Sequence, residues 1–227
     1  MPSLALAKSR VLANVAGLAS AGSGDPFFDQ VSLLVYGDHL VNPVDESKNA
    51  ASATIANVVV DGGELLAGGA DGKVAFASSA AFAFPLVFTL EFDITASEAE
   101  LNATYFMARS AMNYFNCASN GVAPDLTVAY SSLIDWPADM LPAFDTRYRM
   151  AFSRDADGIR RVFRNGVRIH VGSASAETVA ADAFDLFGVP GRADLTTFRG
   201  KLSYIRLTQG VCRYTDNYDP SITFPRR

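Results

Sequence analysis

The chain has 227 residues, 49% of them hydrophobic, which is long and apolar enough for one large β-sandwich or barrel with a real core. Acids outnumber bases 24 to 19, a formal net charge of −5 that speaks against nonspecific nucleic-acid binding, which rests on dense phosphate neutralisation. Two cysteines, Cys117 and Cys212, with no C-x-x-C or Cys/His cluster, argue against a disulfide-stapled scaffold and a structural zinc site; one bridge is open but not required.

Residues 1–24 differ from the rest. They are rich in Ala, Leu and Val and end in the break "SAGSGDP". Lys8 and Arg10 interrupt the apolar run where a signal peptide needs continuity, and no stretch reaches membrane-spanning length, so a soluble chain without a cleaved signal is expected. Leu4, Val11 and Leu18 recur every seven residues with Val15 beside them, which places them on one side of a short helix. A helix this short needs a surface to lie on. Either its own domain or a partner protein can supply one.

From Phe27 the signal is β. "VSLLVY" (31–36) is an apolar run of strand length, and "NVVVDGGELLAGGADGKVAFA" (57–77) sets Gly turns between short runs. In "LVFTLEFDIT" (86–95), Phe88, Leu90, Phe92 and Ile94 alternate with Thr89, Glu91, Asp93 and Thr95, the pattern of a strand with one buried face. "RYRMAFSRDADGIRRVFRNGVRIHVG" (147–172) predicts a three-stranded meander. Its turns are "DADG" and Asn165–Gly166, since both positions of an "NG" pair accept positive φ. A two-residue loop pairs Arg164 with Val167 and Val162 with Ile169. Val162, Val167, Ile169 and Val171 then share one face, and Arg161, Phe163, Arg168 and His170 the other. The bases of this region (Arg147, Arg149, Arg154, Arg160, Arg161, Arg164 and Arg168) read as a solvated strand face. "FDLFGV" (184–189) and "GKLSYIRLTQ" (200–209) are further strands. Many short strands spaced by turns point to an antiparallel sandwich or jelly roll.

The closing segment "FRGKLSYIRLTQGVCRYTDNYDPSITFP" (198–225) resembles that of concanavalin A-like, laminin G-like jelly-roll domains of bacteriophage virion proteins. Phe198, Gly200, Leu202, Ile205, Arg206, Leu207, Thr208, Gly210, Val211, Arg213, Tyr214 and Thr215 hold the positions that carry the resemblance. "DPFFDQVSLLVYGD", "DESKN" (45–49), "FTLEFDI" and "FRNGVRI" follow the same family's order. Trp positions of that family are held here by Asp93 and by Arg147–Tyr148, so an aromatic platform at those places is not carried over. The resemblance implies an all-β, antiparallel jelly-roll β-sandwich of concanavalin A-like type over 25–227, with residues 1–24 as an arm. It implies a non-enzymatic virion protein of the tail tip, fibre or baseplate that binds host-surface glycans, with a capsid decoration or head-fibre protein as one alternative and a glycan-degrading enzyme of the same fold as the other. Other virion proteins would hold the arm, a homo-oligomer is expected from virion symmetry, and the localisation would be the virion. In such a sandwich the closing strand pairs with the opening one. Ile205 and Leu207 would point inward and Arg206 and Thr208 outward. "CRYTDNYDP" would cross the sheet end with its tyrosine hydroxyls kept wet.

Four candidate sites follow from residue chemistry. Some glucanases of this fold carry an "E-x-D-x-E" strand for retaining hydrolysis, which needs two carboxyls about 5 Å apart. Here Glu91 and Asp93 are followed by Thr95, and Glu98 falls beyond the strand, so the triad is incomplete and an enzyme is not expected. A Ser/His/Asp site would have to use His39 or His170, neither in a G-x-S-x-G setting, and His170 reads as a surface residue. Asp38, Asp45 and Asn49 offer oxygen ligands for calcium, or bond their own backbone in a turn. Tyr114, Asn113, Asn116 and Asn120, with Asp135 and the single Trp136 in "IDWPADM", provide the aromatic and polar groups of a glycan site. Trp136 can equally pack the sandwich end.

Overall fold

The structure is a computed structural model that describes residues 25–69, 71–97, 101–109, 114–120, 127–130, 141, 143–176, 178–180, 183–188 and 196–221. The arm residues Leu4, Val11, Val15 and Leu18 lie outside them. The strands are β1 (Val31–Tyr36), β2 (Ala53–Ala56), β3 (Val58–Asp61), β4 (Glu64–Ala67), β5 (Lys73–Phe76), β6 (Phe88–Ala96), β7 (Leu101–Arg109), β8 (Tyr114–Asn120), β9 (Thr127–Tyr130), β10 (Arg147–Arg154), β11 (Ile159–Arg164), β12 (Val167–Ala174), β13 (Ala183–Leu186), β14 (Thr196–Thr197) and β15 (Gly200–Gln209). Single 3-10 turns at Phe28–Gln30 and Ala80–Phe82 are the helical elements among the described residues.

Two sheets form an antiparallel β-sandwich of jelly-roll type. One runs β12-β11-β10-β6-β15-β4-β3, with β1 also on β15. The other runs β2-β5-β13-β7-β8-β9, with the short β14 parallel to β7. Strand β15 is long enough to hold β6 on one edge and two partners on the other. Its Tyr204–Thr208 part pairs with β1, and Lys201–Leu202 pairs with β4. The opening and closing strands therefore meet as the resemblance implies.

The core lies between the sheets. Phe88, Leu90, Phe92 and Ile94 of β6, Met150 and Phe152 of β10 and Ile205 and Leu207 of β15 face Val74, Phe76, Phe184 and Leu186 of the other sheet in one buried cluster. Phe82 packs on the second sheet, with its ring centroid 5.5 Å from Phe76 and 5.9 Å from Phe184. Each such ring, fully buried, stabilises the fold by roughly 1.5–3 kcal/mol.

The meander β10-β11-β12 forms as expected, and Asn165 and Gly166 both take positive φ in its turn. Its register differs at two bulges, one between Ile159 and Arg161 and one between Val162 and Phe163. Arg164 pairs with Val167 and Phe163 with Arg168, but Val162 pairs with His170 because a bulge intervenes. The extra residue moves half-buried His170 opposite a core residue and off the face of Arg161 and Phe163. Val167 and Val171 stay exposed.

The largest departure concerns the outer face of the eight-stranded sheet. Alternation in β6 predicts a wet face, yet Thr89, Glu91 and Asp93 are buried, and so are Arg206 and Thr208 of β15. The cause is the tail after β15. Residues 211–220 fold back over this face rather than across the sheet end. Ser153 Oγ donates to Tyr214 O at 2.6 Å, Tyr218 N donates to Gly166 O at 2.9 Å, and Arg168 N donates to Asn217 Oδ1 at 2.8 Å. The Tyr214 and Tyr218 rings stack at 3.8 Å, and Phe163 meets both edge-on. The arginines of 147–168 are likewise not one solvated face. Arg154 and Arg160 are buried, and Arg154 donates to the carbonyls of Leu86 and Pro85 at 2.5 and 2.6 Å.

Candidate functional site

Rows of paired residues run across the outer face of β10, β6 and β15, and neighbours in a row point the same way. The rows are Ser153–Thr89–Thr208, Ala151–Glu91–Arg206, Arg149–Asp93–Tyr204 and Arg147–Thr95–Lys201. The tail covers the first two and reaches the third, where Arg149 donates to the Pro220 carbonyl. Among the described residues nothing covers the fourth row.

Beneath the tail the charges are paired. Arg206 donates through Nε to Glu91 Oε2 at 2.7 Å and through Nη1 to Asp25 Oδ2 at 3.2 Å. Arg213 binds both oxygens of Asp25, and its Nε donates to Thr208 Oγ1 at 3.0 Å. Tyr214 Oη donates to Glu91 Oε1 at 2.7 Å, so this hydroxyl is not kept wet. Burial and the Glu91 charge push the Tyr214 hydroxyl far above its ordinary range. Asp93 is held by Arg149 at 2.8 and 2.9 Å and by Arg147 at 2.5 Å. The Asp93 contact raises the Arg149 guanidinium further. Glu91 and Asp93, the two carboxylates of the glucanase-like strand, are thus consumed by structural ion pairs. Glu98 lies outside the described residues.

The open row floors a depression of about 590 Å3. Its walls come from the end of β1 (Tyr36, Gly37 and Asp38), the β3–β4 turn (Gly62, Gly63 and Glu64), Ser97 after β6, and Asp145 before β10. Lys201 donates to Asp61 Oδ2 at 2.7 Å and lies 3.8 Å from Glu64 Oε2; the Asp61 bond raises its ammonium above the ordinary value. Ser203 donates to Glu64 Oε1. Gly37 sets the wall. A Cβ there would stand 2.7 Å from Glu64 Cα and Gly63 O, so only glycine lets β1 end flush against the β3–β4 turn. On the rim, Gly62 and Gly63 have positive φ and open space around them.

Several predicted site residues go elsewhere. Asp45 is buried, and its carboxylate accepts from Leu34 N at 2.9 Å, Ser47 N at 2.8 Å, Ser47 Oγ at 2.9 Å and Ala51 N at 3.2 Å. Asn49 Nδ2 donates to Ser32 O at 2.7 Å. The Ser47 and Ala51 bonds close the turn and the Leu34 and Ser32 bonds tie it to β1, whereas Asp38 lines the depression. Among the described residues no group of three or more His, Cys, Asp or Glu could hold a metal ion. Cys212 is a free, half-buried thiol, raised by burial. Tyr114, Asn116 and Asn120 belong to β8, while Asn113, Asp135 and Trp136 lie outside the described residues. Of the candidate ligand-binding residues that the structure describes, Asp38 alone lines the depression, beside Arg147 of the basic region. Tyr36, Glu64, Asp145, Arg147 and Lys201 come together only through pairing of distant strands.

No protein-family model matches the sequence, and no curated protein matches it. Solved structures do match in fold. The chain is similar to domain 4 of AbnA, a GH43 extracellular arabinanase from Geobacillus stearothermophilus solved with arabinotriose, at 16% identity and TM-score 0.58, over 81% of this chain and 94% of that one. It is similar to the receptor binding domain of botulinum neurotoxin D at 13% identity and TM-score 0.60, over 86% of this chain and 51% of that one. It is also similar to Trypanosoma rangeli sialidase at 14% identity and TM-score 0.54, over 85% of this chain and 32% of that one. The chain thus spans about half of the toxin domain's length and about a third of the sialidase. At these identities the likeness is one of fold.

Proposed function

We propose that the chain is a non-enzymatic sugar-binding β-sandwich of a bacteriophage virion, at the tail tip, fibre or baseplate. The open depression on an otherwise strapped sheet face carries this reading. It combines a tyrosine wall with carboxylates and cations in fixed places, the mix that polar ligands need, and its volume falls in the usual range of about 300–1,000 Å3 for small-ligand sites. Neighbours in fold include an arabinanase domain solved with arabinotriose and a sialidase solved with sialic acid, which supports a sugar ligand. Engagement of Glu91 and Asp93 by arginines supports binding without hydrolysis. The virion assignment rests on the closing motif from Phe198 to Thr215.

Cryo-electron microscopy of the particle that carries this protein tests the assignment. Density at the tail tip with the depression facing outward is the expected result. Density on the capsid lattice, with the arm between neighbouring subunits, would replace it with the decoration role. Release of reducing sugar from any bound glycan would overturn the non-enzymatic reading.

A further inference from the structure

The depression has a definite charge character. Its two cations are already committed, Arg147 to Asp93 at 2.5 Å and Lys201 to Asp61 at 2.7 Å. Its carboxylates, Asp38, Glu64 and Asp145, outnumber them. An incoming carboxylate or sulfate would meet cations whose charge is already offset by Asp93 and Asp61 and would approach an acidic rim, and like-charge juxtaposition is unfavourable. Sugar hydroxyls face no such cost. They donate to carboxylates, and hydrogen bonds to charged acceptors are stronger than those between neutral groups.

The site is also built rather than adventitious. The close approach at Gly37 fixes the Tyr36–Asp38 wall against Glu64, and the bare rim at Gly62–Gly63 leaves the entrance open. Asp145 is held by its backbone, since its N–H donates to Ala96 O at 2.7 Å.

We propose that this depression selects the uncharged end of a neutral glycan and discriminates against sialylated, uronic-acid or sulfated chains. The inference rests on the sugar-binding reading above and names the ligand class and the residues that set it. Asp145 and Glu64 accept from ligand hydroxyls, and Tyr36 supplies the apolar side of the wall.

The test uses the full chain on a glycan array that carries neutral chains (glucans, galactans, arabinans and chitin oligomers) and anionic ones (sialosides, uronates and sulfated chains). Calorimetry on the best binder follows, with the variants Asp145→Asn and Ser97→Trp. Asparagine suits the positive φ of 51° at position 145, and Ser97 is an exposed rim residue, so both variants should keep the wild-type melting temperature. The expected result is neutral ligands bound at least about tenfold more tightly than anionic ones. Asp145→Asn should lose about tenfold and Ser97→Trp should abolish binding. Preference for anionic chains, or neutral binding unchanged by both folded variants, overturns this inference and leaves sugar binding standing. Absence of binding across the whole array overturns both.

Discussion

Asp25 and Arg213 lie 188 residues apart and form a two-bond ion pair, Nη1 to Oδ1 at 2.9 Å and Nη2 to Oδ2 at 2.7 Å. The pair ties the tail to the start of the sandwich, and Arg206 joins it to Glu91 below. Removing one member of such a buried network leaves its partner charged and uncompensated. Glu91→Ala should therefore cost about 3–5 kcal/mol, whereas Glu91→Leu with Arg206→Met should recover most of that loss. Urea denaturation reads both. If the double variant is no more stable than the single one, the cost comes from the packing of the tail rather than from the stranded charge.

Acid should loosen the same tie. Burial raises the Asp25 carboxyl, but the Arg213 hydrogen bonds and charge, the Phe27 N–H and Arg206 together outweigh it and hold the group below its ordinary value of 3.8. A folded-state value below the unfolded one means that the unfolded chain binds the extra proton. The contribution is complete above the ordinary carboxylate range and disappears as pH falls below about 3.8. Melting temperatures of the wild type and Asp25→Asn should therefore differ most at neutral pH and converge at low pH. A constant gap between the two curves would exclude this linkage.

Gly166 is one of the points where the tail touches the meander. Its φ is +78°, and a Cβ there would stand 2.1 Å from Tyr218 O and 2.7 Å from Pro220 Cδ. Gly166→Ala should cost at least about 1–2 kcal/mol from backbone strain alone, and the clash should lift the tail. Trypsin should then cut after Arg213 in the variant at concentrations that leave the wild type intact. Equal resistance would mean that the tail adjusts without leaving the sheet.

Much of the sandwich is legible in the sequence because one buried face is enough to specify a strand. Phe88, Leu90, Phe92 and Ile94 alternate, and so β6 is plain; "VSLLVY" and "GKLSYIRLTQ" correspond to β1 and β15 residue for residue. The second buried face is not legible, since Thr89, Glu91, Asp93, Arg206 and Thr208 look like residues meant for water. What hides them is a tail more than 100 residues beyond β6, and polarity patterns carry no information about a polar layer buried by ion pairs. The bulge opposite Val162 escapes notice for a related reason, because "NG" fixes the turn but not the register beyond it. The depression is assembled from the ends of β1, β4, β6, β10 and β15, and among its lining residues only Asp38 reads locally as a ligand-binding candidate.

Tyrosine ionisation offers a direct reading of the strap. Burial, with the Glu91 charge next, pushes Tyr204, Tyr214 and Tyr218 above the ordinary value of 10.0. Their folded values exceed the unfolded one, so the stability they contribute is complete below pH 10 and erodes as pH rises beyond it. In a spectrophotometric titration these three of the eight tyrosines should stay protonated until the protein unfolds. Tyr214→Phe should cost about 1.5–3 kcal/mol at neutral pH, because it takes the hydroxyl away from buried Glu91. Titration of Tyr214 and Tyr218 near pH 10, with the near-UV dichroism of the folded protein intact, would show that the tail stands away from the sheet in solution.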